Sequence, residues 1–240
     1  DSPMLGHALR TLGPSPSLCL DVGSFDGKNA IAFVRKGCSS VYAFEPTPSK
    51  IKRIRTTLKR SKMEQNVTLF EMAAGNVTGT TSFWLSAVEG SKDRDAGSEQ
   101  DQLDRPQWGA AKEVKVRVDT LDQVVGSSAV AYAKIDAQGH DPEVIFGAER
   151  LLRSGLLRRF SFEVWPQQRR GGPGGSAAEY VRAVSWLAER GFKCFDCGGH
   201  GADHRPFNGR AEHLMRNLSS FMHRGVSVPG FTNLVCLASG

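Results

Sequence analysis

Five short, almost unbroken apolar runs, residues 18–22, 41–45, 67–71, 131–136 and 160–164, alternate along this chain with stretches whose apolar residues recur at helical spacing. A strand that is apolar on both faces must be covered on both faces. Strands separated by helices return to the same sheet in parallel, with the helices packed above and below it. The helical stretches are 29–36, 48–61, 142–154 and 177–190; in the last, Tyr180, Val181, Val184 and Leu187 form one face and Gly191 supplies a stop. Two further apolar runs, 192–197 and 232–238, are expected to pair antiparallel at one sheet edge. The expectation is an α/β fold of the Rossmann-like kind: five parallel strands plus a C-terminal antiparallel hairpin, with helices on both faces. With 40% hydrophobic residues, 13 Phe and 4 Trp, a chain of 240 residues can fill one large core, so residues 1–240 read as a single domain.

The longest apolar runs, 129–133 and 234–238, fall far short of the ~20 residues that span a bilayer, so no membrane span is expected. The net charge of +6 is only mildly basic. Five cysteines, at positions 19, 38, 194, 197 and 236, are too few and too scattered to read as a disulfide scaffold. Asn66, Asn76 and Asn217 each begin an Asn-x-Ser/Thr triplet, more than chance supplies. The numbered sequence begins at Asp1, with no basic-then-apolar leader. Compartment is left open between the cytoplasm and a secretory lumen.

Two polar segments, 86–112 and 198–230, interrupt the alternation and read as insertions; a Gly-rich run at 169–175 reads as a hinge. The first holds Trp108, a flat apolar plate suited to a sugar face, beside Arg105. Either this segment or the hinge, rather than the sheet, is expected to determine acceptor choice.

The first strand runs into Asp21-Val22-Gly23-Ser24-Phe25-Asp26-Gly27 and then directly into a helix. Glycines after a buried strand let the backbone turn sharply and come close to a ligand. Asp21 places a carboxylate beside that turn, suited to an ammonium group. Glu45 ends the second strand 24 residues later, where a carboxylate can accept both hydroxyls of a ribose. Asp21 and Asp26 would repel a pyrophosphate, and the full G-x-G-x-x-G is missing. A cationic, phosphate-free adenosine ligand, S-adenosyl-L-methionine, therefore fits the loop better than NAD.

With these motifs the chain resembles the FkbM family of S-adenosylmethionine-dependent methyltransferases over residues 18–164. The resemblance is carried by Asp21 to Gly27, Val41-Tyr-Ala-Phe-Glu-Pro46, Asn66 to Gly75, Val118-Asp-Thr-Leu-Asp122 and the run from Lys134 to Ala148. It implies the class I methyltransferase version of the sheet. It also implies donor binding by Asp21, Gly23, Ser24, Asp26 and Gly27 at the methionine end, by Glu45 at the ribose, and by Met72 and Ala73 at the adenine. Gln138 stands where many members carry Glu and can only hydrogen-bond. The reaction implied is O-methylation of a hydroxyl on a sugar or another small polar acceptor. A non-catalytic module of the same fold, or an RNA methyltransferase, are the alternatives.

Asp136, His140 and Glu163 lie at or just beyond the carboxyl ends of the fourth and fifth strands, where open α/β sheets bind ligands, and are the catalytic candidates. His140 has the intrinsic pKa of a general base, though it could equally cap the helix beginning near Pro142. Asp136 and Glu163 could hold a divalent cation, a reading not favoured over hydrogen bonding. Cys194, Cys197, His200 and His204 have compact zinc-ligand spacing, against which stand free thiols or one disulfide. Lys50, Lys52, Arg53, Arg55, Lys59, Arg60 and Lys62 make the second helix basic, but Ile51, Ile54 and Leu58 fall at core spacing. The charges read as a solvated outer face rather than a nucleic-acid surface.

Overall fold

A computed structural model of the chain describes residues 17–86, 111–164, 177–196 and 232–239. Arg105, Trp108, Cys197, His200, His204, Asn217 and the 169–175 and 198–230 segments lie outside the described residues. The described elements, in chain order, are β1 (Leu18–Val22), α1 (Lys28–Arg35), β2 (Ser40–Phe44), α2 (Pro48–Ser61), β3 (Val67–Phe70), β4 (Ala73–Ala74), β5 (Gly79–Ser86) and β6 (Ala111–Asp119). They continue with α3 (Leu121–Val125), β7 (Val130–Ile135), α4 (Asp141–Phe146), α5 (Glu149–Arg153), β8 (Arg159–Val164), α6 (Ala177–Glu189), β9 (Phe192–Asp196) and β10 (Thr232–Ala238).

Seven strands form the main sheet in the order β3-β2-β1-β7-β8-β10-β9. The contacts β2–β3, β1–β2, β1–β7 and β7–β8 are parallel, while β10 runs antiparallel to both β8 and β9. The expected parallel core and terminal hairpin are therefore present, with the hairpin's second strand inserted beside β8. Strand order reverses between β1 and β7, so the chain leaves β1 to one side and β7 to the other and a crevice opens at their carboxyl ends.

The period of two along each strand sorts the core into two layers. Leu20, Val22, Ala133, Ile135, Phe160 and Phe162 face one side, where Leu121, Val144, Ile145, Leu151, Tyr180 and Leu187 from α3 to α6 pack on them. Cys19, Val41, Ala43 and Tyr132 face the other, under Ile31 and Phe33 of α1 and Ile54 and Leu58 of α2. The basic face of α2 is its outer one at Lys52, Arg53, Arg55, Lys59 and Arg60, which are exposed, but the expectation fails at Lys50, which is buried in the first turn of the helix.

Three expectations need correction. The segment 142–154 is two short helices rather than one. Gly147 lies so close to the backbone of Gly75 that a β-carbon there would sit 1.9 Å from the Gly75 carbonyl oxygen, and the helix breaks where this approach is made. The 86–112 region is bounded by two long strands of a second sheet, ordered β4-β6-β5. Ala73, Phe83, Val116 and Val118 form its small core, and the alternation of Val114, Val116 and Val118 with charged neighbours is an ordinary half-buried strand pattern. Finally, the cysteines form two disulfides, Cys19–Cys38 and Cys194–Cys236. Cys194 and Cys236 stand directly opposite on β9 and β10 with Cα atoms 4.0 Å apart, so Cys194 is not a zinc ligand.

Candidate functional site

The carboxyl ends of β1, β2 and β7, with β4 and β5 of the small sheet, enclose a hollow at the reversal of strand order. Phe44, Met72, Ala73 and Phe83 make its apolar wall, and Glu45, Lys50, Asp136 and Gln138 its polar one. Gly23 forms part of the floor. Its backbone has φ of 74° and passes so near β7 that a β-carbon would lie 1.9 Å from the Asp136 carbonyl oxygen. Only glycine meets both demands.

Glu45 is 4% exposed and held by two backbone donors: Phe25 N–H to Oε2 at 3.0 Å and Thr47 N–H to Oε1 at 2.9 Å. Each oxygen keeps capacity to accept once more, so the carboxylate is oriented but not used up. Phe25 itself adopts φ of 52°, and its ring carries Lys50 Nζ and the Arg53 guanidinium at 5.4 and 5.5 Å. Residues in this backbone region away from glycine cluster where a loop is shaped for binding.

Other residues of the first turn sit behind the hollow. Ser24 Oγ donates to the Asp21 carbonyl oxygen at 2.8 Å, closing the turn. Asp26 accepts from the Lys28 backbone N–H at 3.1 Å and pairs with Lys28 Nζ at 2.6 Å, at the start of α1. A β-carbon on Gly27 would meet Ile54 Cγ2 at 3.2 Å, so this glycine seats α1 against α2. Asp21 is fully buried, and neither carboxylate oxygen has a hydrogen-bond partner among the described residues. Burial pushes its pKa up to about 6, against the pull of the nearby Lys134 charge.

Lys134 links the two halves of the site. It stands opposite Asp21 in the β1–β7 register, and its Nζ donates to Asp136 Oδ2 at 2.9 Å. Gln138, with φ of 52°, turns its Nε2 onto Asp136 Oδ1 at 2.8 Å and Glu163 Oε2 at 3.4 Å. Burial presses the Lys134 ammonium down, but Asp136 and Asp21 outweigh it and hold the group above the ordinary lysine range. Burial also raises Asp136, yet the Lys134 charge and the two hydrogen bonds hold this carboxyl below its usual value. Glu163 moves the other way: burial, then the charges of Asp136 and Asp141, push it up to about 9. At neutral pH Asp136 is ionised and Glu163 carries a proton, two carboxyls driven to opposite roles by their surroundings.

Of the three catalytic candidates, Asp136 and Glu163 are brought together through Gln138; His140 lies apart. It is the residue preceding α4, makes no side-chain cap hydrogen bond, and faces a second hollow with Asn76, Glu143, Phe146, Arg182 and Trp186. Its Nδ1 is 3.6 Å from Glu143 Oε1. Asp141, next along, is fully buried; it accepts from the backbone N–H groups of Gly139 at 3.3 Å and Glu163 at 3.2 Å and from the Tyr180 hydroxyl at 3.4 Å. Burial and the Asp136 charge push its pKa up to about 7. A divalent cation on Asp136 and Glu163 would have to displace both Lys134 and Gln138. Among the described residues no group of three or more His, Cys, Asp or Glu is placed to hold a metal ion.

Lys134, Phe83, Phe44 and Lys50 are among the site residues that sequence reasoning passed over. Lys134 is two positions before Asp136 on a strand, hence on the same face, and that spacing alone predicts the ion pair. Phe83 belongs to the unrecognised small sheet.

The model of the methyltransferase FkbM domain matches residues 21–194 of this chain. No curated protein matches it. Among solved structures, methyltransferase FkbM from Methylobacillus flagellatus KT is similar over 92% of this chain and 43% of its own length, at 12% identity and a TM-score of 0.55. This chain therefore spans less than half of that protein. A putative methyltransferase from Streptococcus mutans, in complex with SAH, is similar over 98% of this chain and 96% of its own, at 12% identity and a TM-score of 0.50. At such identities the likeness is one of fold.

Proposed function

The chain belongs to the methyltransferase FkbM domain family, a family of S-adenosylmethionine-dependent enzymes, and from that premise we propose that it methylates a hydroxyl of a sugar or another small polar acceptor. The observation that carries this reading is the hollow itself, which sets an oriented, unsaturated carboxylate, Glu45, beside a flat apolar wall and an ionised Asp136.

The residues fit an adenosine-type donor. Glu45 can accept the two ribose hydroxyls while Phe25 and Thr47 hold it in place. Phe44, Met72, Ala73 and Phe83 supply apolar contacts for a base. Asp21 lies buried beneath the Gly23 turn with two unpartnered oxygens, and a neighbouring cation would keep it ionised. Ser24, Asp26 and Gly27 act through the shape of the loop. When bound, S-adenosylmethionine supplies an electrophilic methyl group on a cationic sulfonium.

Transfer of that methyl to a hydroxyl needs alignment and a place for the hydroxyl proton. Asp136 is an ionised carboxylate on the hollow, and Lys134 and Gln138 fix it in place. Its role is to accept a hydrogen bond from the acceptor hydroxyl and orient it for in-line attack. With Glu163 protonated the pair carries a single negative charge, on Asp136, and it is Asp136 that can take the hydroxyl proton. His140 faces the second hollow and takes no part in this step.

Calorimetry with S-adenosylmethionine and with NAD tests the donor, and a methyl-label screen of glycans against nucleotides tests the acceptor. Preference for NAD sinks the donor site. Nucleotides outcompeting glycans would replace the sugar acceptor with RNA, and donor binding without turnover on any acceptor would favour a non-catalytic module. Asp136→Asn should abolish most turnover with donor affinity nearly unchanged.

A further inference from the structure

We propose that Asn76 is a site of N-linked glycosylation, and hence that this domain folds in the lumen of a secretory pathway. Two independent observations meet here. The first is the pair of disulfides, Cys19–Cys38 and Cys194–Cys236, all four sulfurs belonging to residues no more than 4% exposed. Such bonds form and persist in oxidising compartments and are rare in a reducing cytosol. The second is the local structure of the Asn76-Val77-Thr78 triplet.

Asn76, Val77 and Thr78 are all exposed, in the turn between β4 and β5. Val77, at 58%, is the most exposed large apolar residue among those described. Asn76 is exposed and lies at the edge of the second hollow, so the space beside it is not filled by protein. The turn is also firmly placed: Gly75 N–H donates to the Asp119 carbonyl oxygen at 3.0 Å and Thr78 Oγ1 to Asp119 Oδ1 at 2.7 Å. A bulky group on Asn76 therefore projects from a fixed point without disturbing the core. Asn66 differs. It is half-buried, its Nδ2 reaches the Ser39 carbonyl oxygen at 3.4 Å, its N–H donates to Met63 at 3.1 Å, and its carbonyl accepts from Val41 at 2.8 Å.

The modification joins Asn76 Nδ2 to the anomeric carbon of an N-acetylglucosamine carried on a polyprenyl diphosphate. The anomeric C–O bond breaks, the polyprenyl diphosphate leaves, and the amide nitrogen gives up one proton. No redox partner is involved.

The test is expression of the natural full-length chain, with its own N-terminus, in eukaryotic cells. Peptide mapping after enzymatic removal of N-glycans in heavy-oxygen water should find the Asn76 amide converted to a labelled aspartate. Asn76→Gln should remove one step of electrophoretic mobility shift. Thr78→Ser, which retains the triplet, should keep it, and Asn66→Gln should leave the Asn76 modification intact. In denaturant, which exposes them, the four disulfide cysteines should resist alkylation unless first reduced. A chain carrying no glycan, or carrying one only on Asn66 or Asn217, overturns the proposal, as does alkylation of Cys19, Cys38, Cys194 or Cys236 in denaturant without reductant. Because the mapping is done on the unaltered chain, poor folding of a variant does not obscure the outcome.

Discussion

The α-carbon of Gly23 passes so close to β7 that a methyl group on it would overlap the carbonyl oxygen of Asp136, at 1.9 Å. The first turn and the end of β7 that carries Asp136 are thus one packed unit. Asp136 N–H also donates to the Val22 carbonyl at 3.1 Å, tying them a second time. Gly23→Ala combines this overlap with a left-handed backbone, and should destabilise the fold by at least about 2 kcal/mol. Denaturant unfolding measures that loss, and an unchanged midpoint would mean that β7 can move away from the loop.

Glu45→Gln should weaken donor binding about tenfold to a hundredfold, the range for a hydrogen bond to a charged group. The variant keeps the side-chain length but sets an amide N–H2 against one of the two backbone donors, Phe25 or Thr47. Calorimetry with S-adenosylmethionine reads the effect; retained affinity would remove Glu45 from the donor site.

Three buried carboxyls have raised pKa values: Asp21 at about 6, Asp141 at about 7 and Glu163 at about 9. Each binds its proton more tightly folded than unfolded. Their contribution to stability is full below the unfolded values of 3.8 and 4.5 and is lost as pH rises through those folded values. The ligand-free protein should therefore melt at a higher temperature at pH 5.5 than at pH 8. Asp141→Asn should flatten that dependence. Asp119 and Asp136 have lowered pKa values and act oppositely: their contribution is present above 3.8 and is lost only as pH falls below it, through their lower folded values.

Reduction should be costly. The disulfides join residues 19 and 42 positions apart. Closing loops of that size stabilises by about 3–4 kcal/mol each through the unfolded chain. A Cys19→Ala, Cys38→Ala double variant and its Cys194→Ala, Cys236→Ala counterpart should each lose about that much in denaturant unfolding. An unchanged midpoint in either would argue that its bond adds nothing to the native fold.

The parallel strands were legible because doubly buried strands read as continuous apolar runs, and Asp21 and Glu45 because each ends one of them. Expectation failed where a feature depends on partners distant in sequence. The break at Gly147 answers to the backbone of Gly75, and nothing in residues 142–154 announces it. Cys19 and Cys38 join a strand to the segment after α1, a pairing that needs the layer geometry. Cys194 and Cys236 needed the register of β9 on β10. The small sheet is different in kind: the alternation in β6 was readable, and the conspicuous polarity of the neighbouring segment drew attention from it.

Strand β10 lies between β8 and β9, which have no direct pairing of their own. A ribosome completes β8 and β9 before it begins β10, so the nascent chain must carry β8 with one edge bare until the later strand arrives. That edge, flanked by Phe160 and Phe162, is a natural point of capture by chaperones and of mispairing between growing chains. Only after β10 has threaded into the gap can Cys194 meet Cys236, so this bond records the correct insertion of the later strand and then prevents its reversal.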